Sequence, residues 1–513
     1  MARAKKYIEI MDTTLRDGEQ TPELAYTPTE KLQLGRMLLG EVGVDRIEVG
    51  SARVSEGEAE SALSIIKWAT ARNKADCVEI LGFVDGGISI DWIRKVGGQT
   101  INLLTKGSEV HCTQQLRKTP EEHFKDVVKD IRYAHKKGLT VNVYLEDWSN
   151  GVRDSFQYVH AFCRVLTEEG VTRIMLPDTL GVLTPSDVRR FLDWMISANP
   201  TARFDFHGHN DYGLGTANSL VAVECGVSGV HTTVNGLGER AGNASLCEVA
   251  VGIHDKTEFR THIKERKLQA VAQVVQTFSG KRVASNAPIV GTDVFTQTCG
   301  VHADGDKKGN LYANPLLPER FSRSRSYALG KLSGKASIDQ NLANLGLELT
   351  TDERNRVLSE VIALGDKKKR VTVDDLPFII ADVLKQDQDE AIKINEYRII
   401  TEAGVLPTAE ITVMCNGEAL TASAQGDGGY DAFAKAVRKA FKTRGIKLPA
   451  LLDYEVRIPP GGKTDALVET MIKWENDGRV PLITLGFDCD QIVAAIEATE
   501  KMLNIVVPPQ LGS

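Results

Sequence analysis

The chain from residue 8 reads Ile8-Glu-Ile-Met-Asp12-Thr-Thr-Leu-Arg16-Asp17-Gly-Glu-Gln20, a short apolar run that ends in a dense polar turn. The helix-like segment Pro28–Leu39 follows it. The same order recurs along residues 1–260, where the apolar runs are Ile8–Met11, Arg46–Val49, Val78–Val84, Ile101–Leu104, Val141–Leu145, Arg173–Leu176, Phe204–His207 and Val230–Val234. Eight strand-helix units predict an α/β fold with a (β/α)8 TIM barrel. An open doubly wound sheet is the competing prediction, but no G-x-G-x-x-G follows the first strand.

Composition narrows the class of protein. The 513 residues are 42% hydrophobic and 26% charged, with a formal charge of −7, which argues against nucleic acid or anionic membrane as a partner. No apolar run reaches the roughly 18 residues of a membrane span, and the first residues lead into a strand without room for a signal peptide. The eight cysteines form no C-x-x-C pair. The sequence therefore predicts a cytoplasmic protein with reduced thiols.

Polar clusters follow five of the eight predicted strands. Besides the turn after the first strand, these clusters are Tyr144-Leu-Glu146-Asp147, Pro177-Asp178-Thr179, His207-Gly-His209-Asn210-Asp211 and Asn235-Gly-Leu-Gly-Glu239-Arg240-Ala-Gly-Asn243. Chemistry in TIM barrels lies at the C-terminal ends of the strands. The five clusters therefore predict one active site on that rim.

His207 and His209 are the clearest candidate metal ligands. Residues two apart on a strand point the same way, so both imidazoles can reach one ion. Asp17 of the first strand lies beside strands seven and eight in a closed barrel, and Asn243 or water would complete the shell. Such a set suits a divalent ion, and zinc, manganese, cobalt and magnesium are not separated by it. The alternative is a pair of hydrogen-bonded histidines on the rim.

Three further rim residues have two interpretations each. Arg16 is placed to bind the oxygens of a small oxo acid, or it forms an ion pair with Glu48. Thr179 donates to a substrate carboxylate, or it caps a helix before Pro185. Glu146 is the best-placed carboxylate for acid-base work, or it supports a ligand. These residues predict a metal-assisted reaction of a small oxo acid.

The clusters at residues 12–20, 207–211 and 235–243 resemble the isopropylmalate, citramalate and homocitrate synthase family of DRE-type TIM metallolyases, and the resemblance spans nearly the whole chain. It implies condensation of acetyl-CoA with a 2-oxo acid. It also implies that Asp17, His207 and His209 bind the ion, with Asn243 near the fourth position. The ion and Arg16 would then stabilise the alkoxide, and Thr179 would anchor the substrate carboxylate.

A second family motif lies beyond the barrel, at Val301-His302-Ala-Asp304-Gly and Gly309-Asn310-Leu311-Tyr312. The resemblance implies that this segment reaches the partner subunit's active site, where His302 and Tyr312 assist acetyl-CoA deprotonation or polarise the thioester. Asp304, Asn310 and Leu311 would contact substrate. A homodimer with a shared site follows from it. The alternative is turn chemistry in a glycine-rich loop.

Within the family, the side chain of the oxo acid is expected to meet Leu81, Phe83, Leu104 and Tyr144, at the ends of strands three to five. All four are bulky and apolar. They leave space for the methyl of pyruvate but little for the isopropyl of 2-oxoisovalerate, and they offer no cation for a distal carboxylate. Pyruvate is therefore the predicted substrate. If these residues are barrel core, 2-oxoisovalerate is the alternative.

The remaining chain divides by pattern. We predict a catalytic barrel at 1–265, an irregular linker subdomain at 266–330, a helical linker subdomain at 331–395 and a C-terminal α+β domain at 396–513. The last domain resembles the family's regulatory domain, which binds an end-product amino acid. The implied site residues are Tyr430, Asp431, Leu451, Tyr454, Ile458, Thr464 and Val468.

The implied effector is isoleucine for a pyruvate-using enzyme, at the first step of a threonine-independent isoleucine pathway, or leucine for a 2-oxoisovalerate-using one. A dimerisation domain without an effector is the alternative.

A lyase of the same superfamily and an amino-acid sensor on an inactive barrel are the other functions considered. The motif at 301–312 argues against the lyase, and intact Arg16, Asp17, His207 and His209 argue against the sensor.

Overall fold

The structure is a computed structural model. It describes residues 6–297, 309, 311, 314–330, 333–345, 347, 349–366, 376, 379–380, 392–457, 468–475, 481–488 and 490–507. The chain forms two compact units, one of Met1–Phe295 with Ala313–Arg325 and the other of Thr296–Tyr312 with Ser326–Ser513. No helix in the described part of the chain has the length and apolar character needed to cross a bilayer.

The first unit is built on a closed barrel of eight parallel strands in chain order, which confirms the predicted TIM barrel. Its strands are β2 (Glu9–Asp12), β3 (Arg46–Ser51), β4 (Val78–Phe83), β5 (Thr100–Lys106), β6 (Thr140–Glu146), β7 (Arg173–Asp178), β8 (Phe204–Gly208) and β9 (Gly229–Thr232). A short strand β1 (Lys6–Tyr7) pairs with β10 (Phe259–Arg260). Each barrel strand lies within about two residues of its apolar run, because burial on both faces of a parallel strand produces that run.

Helices surround the barrel and pack their apolar faces on the strands. They are α1 (Pro28–Arg36), α2 (Glu56–Thr70), α3 (Ile88–Lys95), α4 (Pro120–Lys136), α5 (Trp148–Asp154), α6 (Phe156–Glu168), α7 (Pro185–Ala198), α8 (Gly215–Cys225), α9 (Leu246–Lys256) and α10 (Leu268–Ser279). Helices α1, α4 and α7 each begin with a threonine cap, a proline and an acidic residue at the third position, which completes a capping box. These starts are therefore fixed by local sequence.

The expectation of irregular chain from residue 266 was wrong at its beginning. Residues 268–279 form α10, which buries Leu268, Val271, Ala272 and Val275 in the core between barrel and helices. Their spacing of three, one and three residues is the apolar stripe of a helix. The short strands β11 (Thr296–Gln297) and β12 (Ser326–Tyr327) pair farther along the chain, in the second unit.

The interior of the barrel holds charged side chains as well as apolar ones. Arg46 lies 3.0 Å from Glu79 and 3.1 Å from Glu9, and it also pairs with Asp205. Arg173 lies 2.6 Å from Glu9 and 3.2 Å from Asp205. Most TIM barrels fill this space with branched apolar residues. Each buried carboxylate here has a guanidinium partner, which offsets the cost of removing it from water.

The second unit contains a small helical cluster and two sheet-and-helix repeats. The helices α11 (Lys335–Leu345) and α12 (Thr351–Asp366) share a core around Ile338, Leu342, Val357 and Val361. The repeats are β13 (Ile392–Ile400), β14 (Thr408–Cys415), β15 (Glu418–Gln425) with α13 (Gly429–Lys442), and β16 (Leu451–Arg457), β17 (Val468–Trp474), β18 (Leu482–Asp488) with α14 (Gln491–Val506). Both sheets are antiparallel. This confirms the predicted C-terminal α+β fold.

Candidate active site and effector cavity

A cavity of about 160 Å³ opens at the C-terminal ends of the barrel strands. Its lining includes most of the rim residues singled out in the sequence, together with Gln20, Pro177 and Glu239. The lining residues are Arg16, Asp17, Gln20, Leu81, Leu104, Tyr144, Glu146, Pro177, Thr179, His207, His209 and Glu239. Residues from seven of the eight barrel strands, or from the loops that follow them, therefore meet around one small space.

Asp17, His207 and His209 come together as one potential ligand set. The Nε2 atoms of the two imidazoles lie 3.3 Å apart, and His207 Nε2 lies 3.4 Å from Asp17 Oδ2. Ligand atoms around a tetrahedral ion with bonds of about 2.0–2.1 Å stand about 3.3 Å apart. All three residues are buried. The donor types and their separations therefore fit a divalent ion.

The charge states of this cluster also suit metal binding. Burial alone would raise the pKa of the Asp17 carboxyl, but the Arg16 guanidinium and the two imidazoles hold it well below its usual range. Burial and the neighbouring His207 lower the pKa of His209 to about 4. At neutral pH Asp17 therefore carries its charge and His209 offers a lone pair, as metal ligands must.

Asn243 lies beside the set. Its Nδ2 donates to Asp17 Oδ1 at 3.1 Å and to the Leu237 carbonyl at 2.9 Å. Its Oδ1 is buried and has no hydrogen-bond partner in the described part of the chain. Buried oxygens are seldom left without a donor, so an ion or a water is the expected partner of this one.

Arg16 is held on three sides. Its Nε donates to Glu48, Nη1 lies 2.7 Å from Asp17 Oδ2, and Nη2 donates to the Tyr144 hydroxyl at 3.1 Å. Glu48 in turn accepts from Asn102 at 2.7 Å. Both interpretations of Arg16 thus describe the same residue, because the ion pair with Glu48 exists while the side chain lines the cavity.

Thr179 and Glu146 also line the cavity. Thr179 Oγ1 accepts the backbone N–H of Asp147 at 2.9 Å, and among the described residues no acceptor takes its O–H proton. It does not cap a helix, since Thr184 is the N-cap of α7. Glu146 forms an ion pair with Lys106, a residue that the sequence analysis did not single out.

The apolar wall of the cavity belongs to a cluster of its own inside the barrel. Met11, Leu81, Tyr144 and Met175 form it, with Leu104 packed against them. Leu81 is 5% exposed and Tyr144 is 2% exposed. The structure does not bring Phe83 to this wall. Phe83 is 37% exposed and ends β4, where its backbone N–H donates to Ser89 as the chain turns into α3.

Two further residues support the site, and the sequence analysis gave neither of them a role of its own. Arg240 donates to the Thr179 carbonyl at 2.7 Å and forms two hydrogen bonds to Asp211, so it ties together the loops after β7, β8 and β9. His231 lies beneath Tyr144, with its Nδ1 3.2 Å from the hydroxyl. Both contacts join residues that are distant in sequence.

The second motif lies largely outside the described residues. His302, Asp304, Asn310 and Tyr312 are among the residues that are not described, and their roles stay predictions. Leu311 is described and is 71% exposed.

The second unit holds a cavity of about 470 Å³ that is lined by four of the residues expected to bind an effector, namely Tyr430, Asp431, Leu451 and Tyr454. The other lining residues are Ala434, Lys435, Val437, Arg438, Leu448, Trp474, Thr499 and Met502. Val468 was expected to bind the effector, but it is buried in β17 and is not part of this lining. Ile458 and Thr464 lie outside the described residues.

The walls of this cavity combine apolar and charged groups. Tyr430 donates to or accepts from the Thr499 hydroxyl at 2.8 Å, and its ring lies 5.1 Å from that of Tyr454. Asp431 lies 2.7 Å from Lys435. A small zwitterion with an aliphatic side chain needs this mixture of surfaces.

Comparison with known proteins yields three matching families. The HMGL-like family matches residues 7–275, the homocitrate synthase post-HMGL domain-like family matches residues 289–369, and the LeuA allosteric (dimerisation) domain matches residues 370–507. The crystal structure of HMG-CoA lyase from Bacillus subtilis is 20% identical, with a TM-score of 0.48 over 56% of this chain and 97% of that one.

Two relatives come from one organism, Methanocaldococcus jannaschii. Its (R)-citramalate synthase is 33% identical over 98% of this chain and 99% of its own length. Its 2-isopropylmalate synthase is 34% identical over 98% of this chain and 95% of its own length. Overall identity therefore does not separate the two activities, and the chain belongs to the HMGL-like family of (R)-citramalate and 2-isopropylmalate synthases.

Proposed function

We propose that the protein is an (R)-citramalate synthase, which condenses acetyl-CoA with pyruvate to give citramalate and CoA. The observation that carries the choice of pyruvate is the apolar wall, where Leu81 and Tyr144 are almost fully buried in a cavity of about 160 Å³. Tyr144 cannot swing away freely, because its hydroxyl accepts from Arg16. A fixed wall rejects the branched side chain of 2-oxoisovalerate by steric clash, whereas attraction to one methyl discriminates weakly.

Asp17, His207 and His209 would hold a divalent ion, with the Asn243 amide oxygen close by. When bound, the ion supplies Lewis-acid polarisation of the 2-oxo group. Arg16 adds a fixed guanidinium that binds the same oxygen as it gains negative charge. The O–H of Thr179, which meets no acceptor among the described residues, binds the substrate carboxylate.

In the reaction, the acetyl methyl group loses a proton and forms a carbon–carbon bond to the ketone carbon of pyruvate. The ketone oxygen becomes an alkoxide and takes up a proton, and water then cleaves the thioester to release CoA. We assign Glu146, one of the carboxylates of the cavity wall, to acid-base work. We assign His302 and Tyr312 of the partner subunit in a homodimer to activation of acetyl-CoA, on the family resemblance.

The activity test is release of CoA, followed with a thiol reagent in the presence of acetyl-CoA and a divalent ion. Pyruvate, 2-oxoisovalerate and 2-oxoglutarate are compared by kcat/KM. We expect pyruvate to be preferred. Preference for 2-oxoisovalerate would identify a 2-isopropylmalate synthase. This is the second candidate, because the 2-isopropylmalate synthase of Methanocaldococcus jannaschii is 34% identical to this chain. Such a preference would also show that the apolar wall does not contact the substrate.

The metal assignment has its own test, which does not depend on turnover. Zinc, manganese, cobalt and magnesium are titrated by calorimetry into chelator-treated protein. His209→Ala is expected to weaken binding of the preferred ion by at least about 100-fold, since it removes a direct ligand. His160→Ala changes a histidine outside the cluster and is the matched control. Equal binding by both variants would refute the ligand set.

We further propose that the cavity around Tyr430 binds isoleucine as a feedback inhibitor, so that the enzyme controls entry into a threonine-independent isoleucine pathway. The cavity offers apolar and charged surfaces for such a ligand. Isoleucine and leucine are compared as inhibitors of CoA release. Inhibition requires the amino acid to bind one global state more tightly than another. Inhibition by leucine alone would favour the second candidate function.

A further inference from the structure

His231 lies at the centre of the barrel, between the substrate wall and the charged interior. It is 1% exposed and belongs to β9. Its Nδ1 lies 3.2 Å from the Tyr144 hydroxyl, and its Nε2 lies 3.5 Å from Asp205 Oδ2. Its ring is nearly perpendicular to that of Tyr144, with the centroids 5.6 Å apart. It therefore contacts both a wall residue and a buried carboxylate.

The surroundings decide where its single proton resides. His231 is buried in the barrel interior, and a neutral imidazole carries its proton on only one of its two nitrogens. Asp205 forms ion pairs with Arg46 and Arg173, so its carboxylate is charged. A lone pair on Nε2 would face that negative charge. The favoured tautomer thus carries its proton on Nε2 and leaves Nδ1 as an acceptor.

The direction of the next hydrogen bond follows. The Tyr144 hydroxyl donates to His231 Nδ1, and its oxygen accepts from Arg16 Nη2 at 3.1 Å. Glu48 Oε2 lies farther from the hydroxyl, at 3.4 Å. Both Glu48 oxygens already accept a donor, one from Arg16 and one from Asn102. His231 is therefore the preferred acceptor for the phenol.

We propose that Asp205 and His231 form a positioning relay that fixes the Tyr144 hydroxyl, and through it the substrate wall and the orientation of Arg16. His231 touches neither substrate nor ion in this assignment and is a positioning residue that determines specificity. The inference rests on the proposed function, in which Tyr144 bounds the site of the oxo acid. A Tyr144 ring that is held by hydrogen bonds at its hydroxyl excludes larger substrate side chains better than a ring held by packing alone.

The test is a double-mutant cycle on kcat/KM with pyruvate and with 2-oxoisovalerate. His231→Leu removes the acceptor and Tyr144→Phe removes the donor. Each is expected to lower kcat/KM for pyruvate roughly tenfold, as the loss of one buried hydrogen bond does, and to lower the preference for pyruvate. The double variant is expected to lose no more than either single variant. Multiplying losses would overturn the relay, because a purely structural role of His231 does not depend on the phenol.

Two further variants keep the test clear. Thr232 is as buried as the adjacent His231, but its side chain alternates to the opposite face of β9, toward the helices. Thr232→Val should therefore keep the wild-type preference for pyruvate. His231→Asn retains an acceptor near the Nδ1 position and should recover part of the preference that His231→Leu loses. If His231→Asn behaves like His231→Leu, hydrogen bonding to the phenol is not what positions the wall.

The tautomer gives a readout that is independent of activity. Nitrogen-15 spectra of the wild-type protein, assigned by loss of the His231 signals in His231→Leu, should show a protonated Nε2 and a bare Nδ1. Tyr144→Phe should shift the Nδ1 signal. A protonated Nδ1 would refute the relay even in an active enzyme. The spectra and the activity can also disagree. If the spectra show the expected tautomer but the protein condenses no 2-oxo acid, the proposed function is refuted and the relay stands.

Discussion

Leu81 provides the most direct test of the substrate wall at the scale of a single residue. Leu81→Ala is expected to raise kcat/KM for 2-oxoisovalerate relative to pyruvate by about 10-fold or more, because the space that it opens accepts two more methyl groups. Leu103→Ala is the matched control, since Leu103 is equally buried but lies in the core outside the barrel. Both variants should lose stability, by about 2–5 kcal/mol. Equal selectivity of the two variants would show that Leu81 does not contact the substrate.

Asp12 gives a prediction about pH. It is fully buried, only its Oδ1 accepts a hydrogen bond from Thr14 in the described part of the chain, and burial raises its pKa to about 7. The folded pKa thus exceeds that of the unfolded chain, near 4. The stability contributed by the protonated carboxyl is complete below about pH 4 and is lost as the pH rises through about 7.

Asp12→Asn removes this dependence. At pH 8 the variant should unfold at a higher urea concentration than the wild type, by an amount worth up to about 4 kcal/mol, and at pH 4 the two should agree. The transition can be followed by fluorescence, since four of the five tryptophans lie in the barrel unit. A difference that is constant with pH would mean that Asp12 does not titrate as the structure requires.

At the scale of elements, the helix starts were the most predictable features. Helix α4 begins at Pro120 because Thr119, Pro120 and Glu122 specify its first turn locally. The helix cap that was the alternative role of Thr179 was wrong, because Thr179 precedes Pro185 by six residues, whereas Thr184 directly precedes it. Helix α10 was missed because the glycines and prolines beyond residue 280 dominated the pattern of the whole segment.

The capping box of α4 makes a stability prediction. Thr119→Ala should lower the free energy of unfolding of the barrel by about 1 kcal/mol, since Glu122 N–H loses its acceptor. Thr119→Ser keeps the hydroxyl and should unfold close to the wild type. The cap lies at the surface, away from the cavity residues, so kcat/KM should be the same in all three proteins. A loss of stability in both variants would assign the effect to packing of the threonine methyl.

At the scale of the whole molecule, the predicted effector cavity should couple to the active site. Tyr430→Ala removes the ring that pairs with Tyr454 and the hydrogen bond to Thr499. The isoleucine concentration for half inhibition should rise at least about 10-fold. Tyr397→Ala, an exposed aromatic outside this cavity, should keep the wild-type value. Unchanged inhibition in Tyr430→Ala would place the effector elsewhere.

The sequence predicted how the barrel closes and which residues meet at its rim, because consecutive strands are neighbours in a closed barrel and the last strand pairs with the first. The potential ligand set of Asp17, His207 and His209 could be predicted in this way. The support beneath them could not, because His231 and Tyr144 pair across the barrel interior and no local spacing predicts such a contact. A single sequence thus yields the reacting groups more readily than the residues that orient them.

The charged interior of the barrel has an evolutionary consequence. Five charged residues share ion-pair partners there, namely Arg46, Arg173, Glu9, Glu79 and Asp205. Replacing any one of them leaves its partners buried without a counter-ion, so we expect their substitutions to be strongly epistatic. Met11, Leu81 and Met175 in the apolar cluster should instead tolerate exchange one residue at a time, since Leu, Met and similar side chains replace each other at modest cost. Under the proposed function, substrate choice can therefore change through single substitutions in this cluster while the charged residues stay unchanged. One scaffold then supports two named activities among relatives that differ from this chain to the same extent.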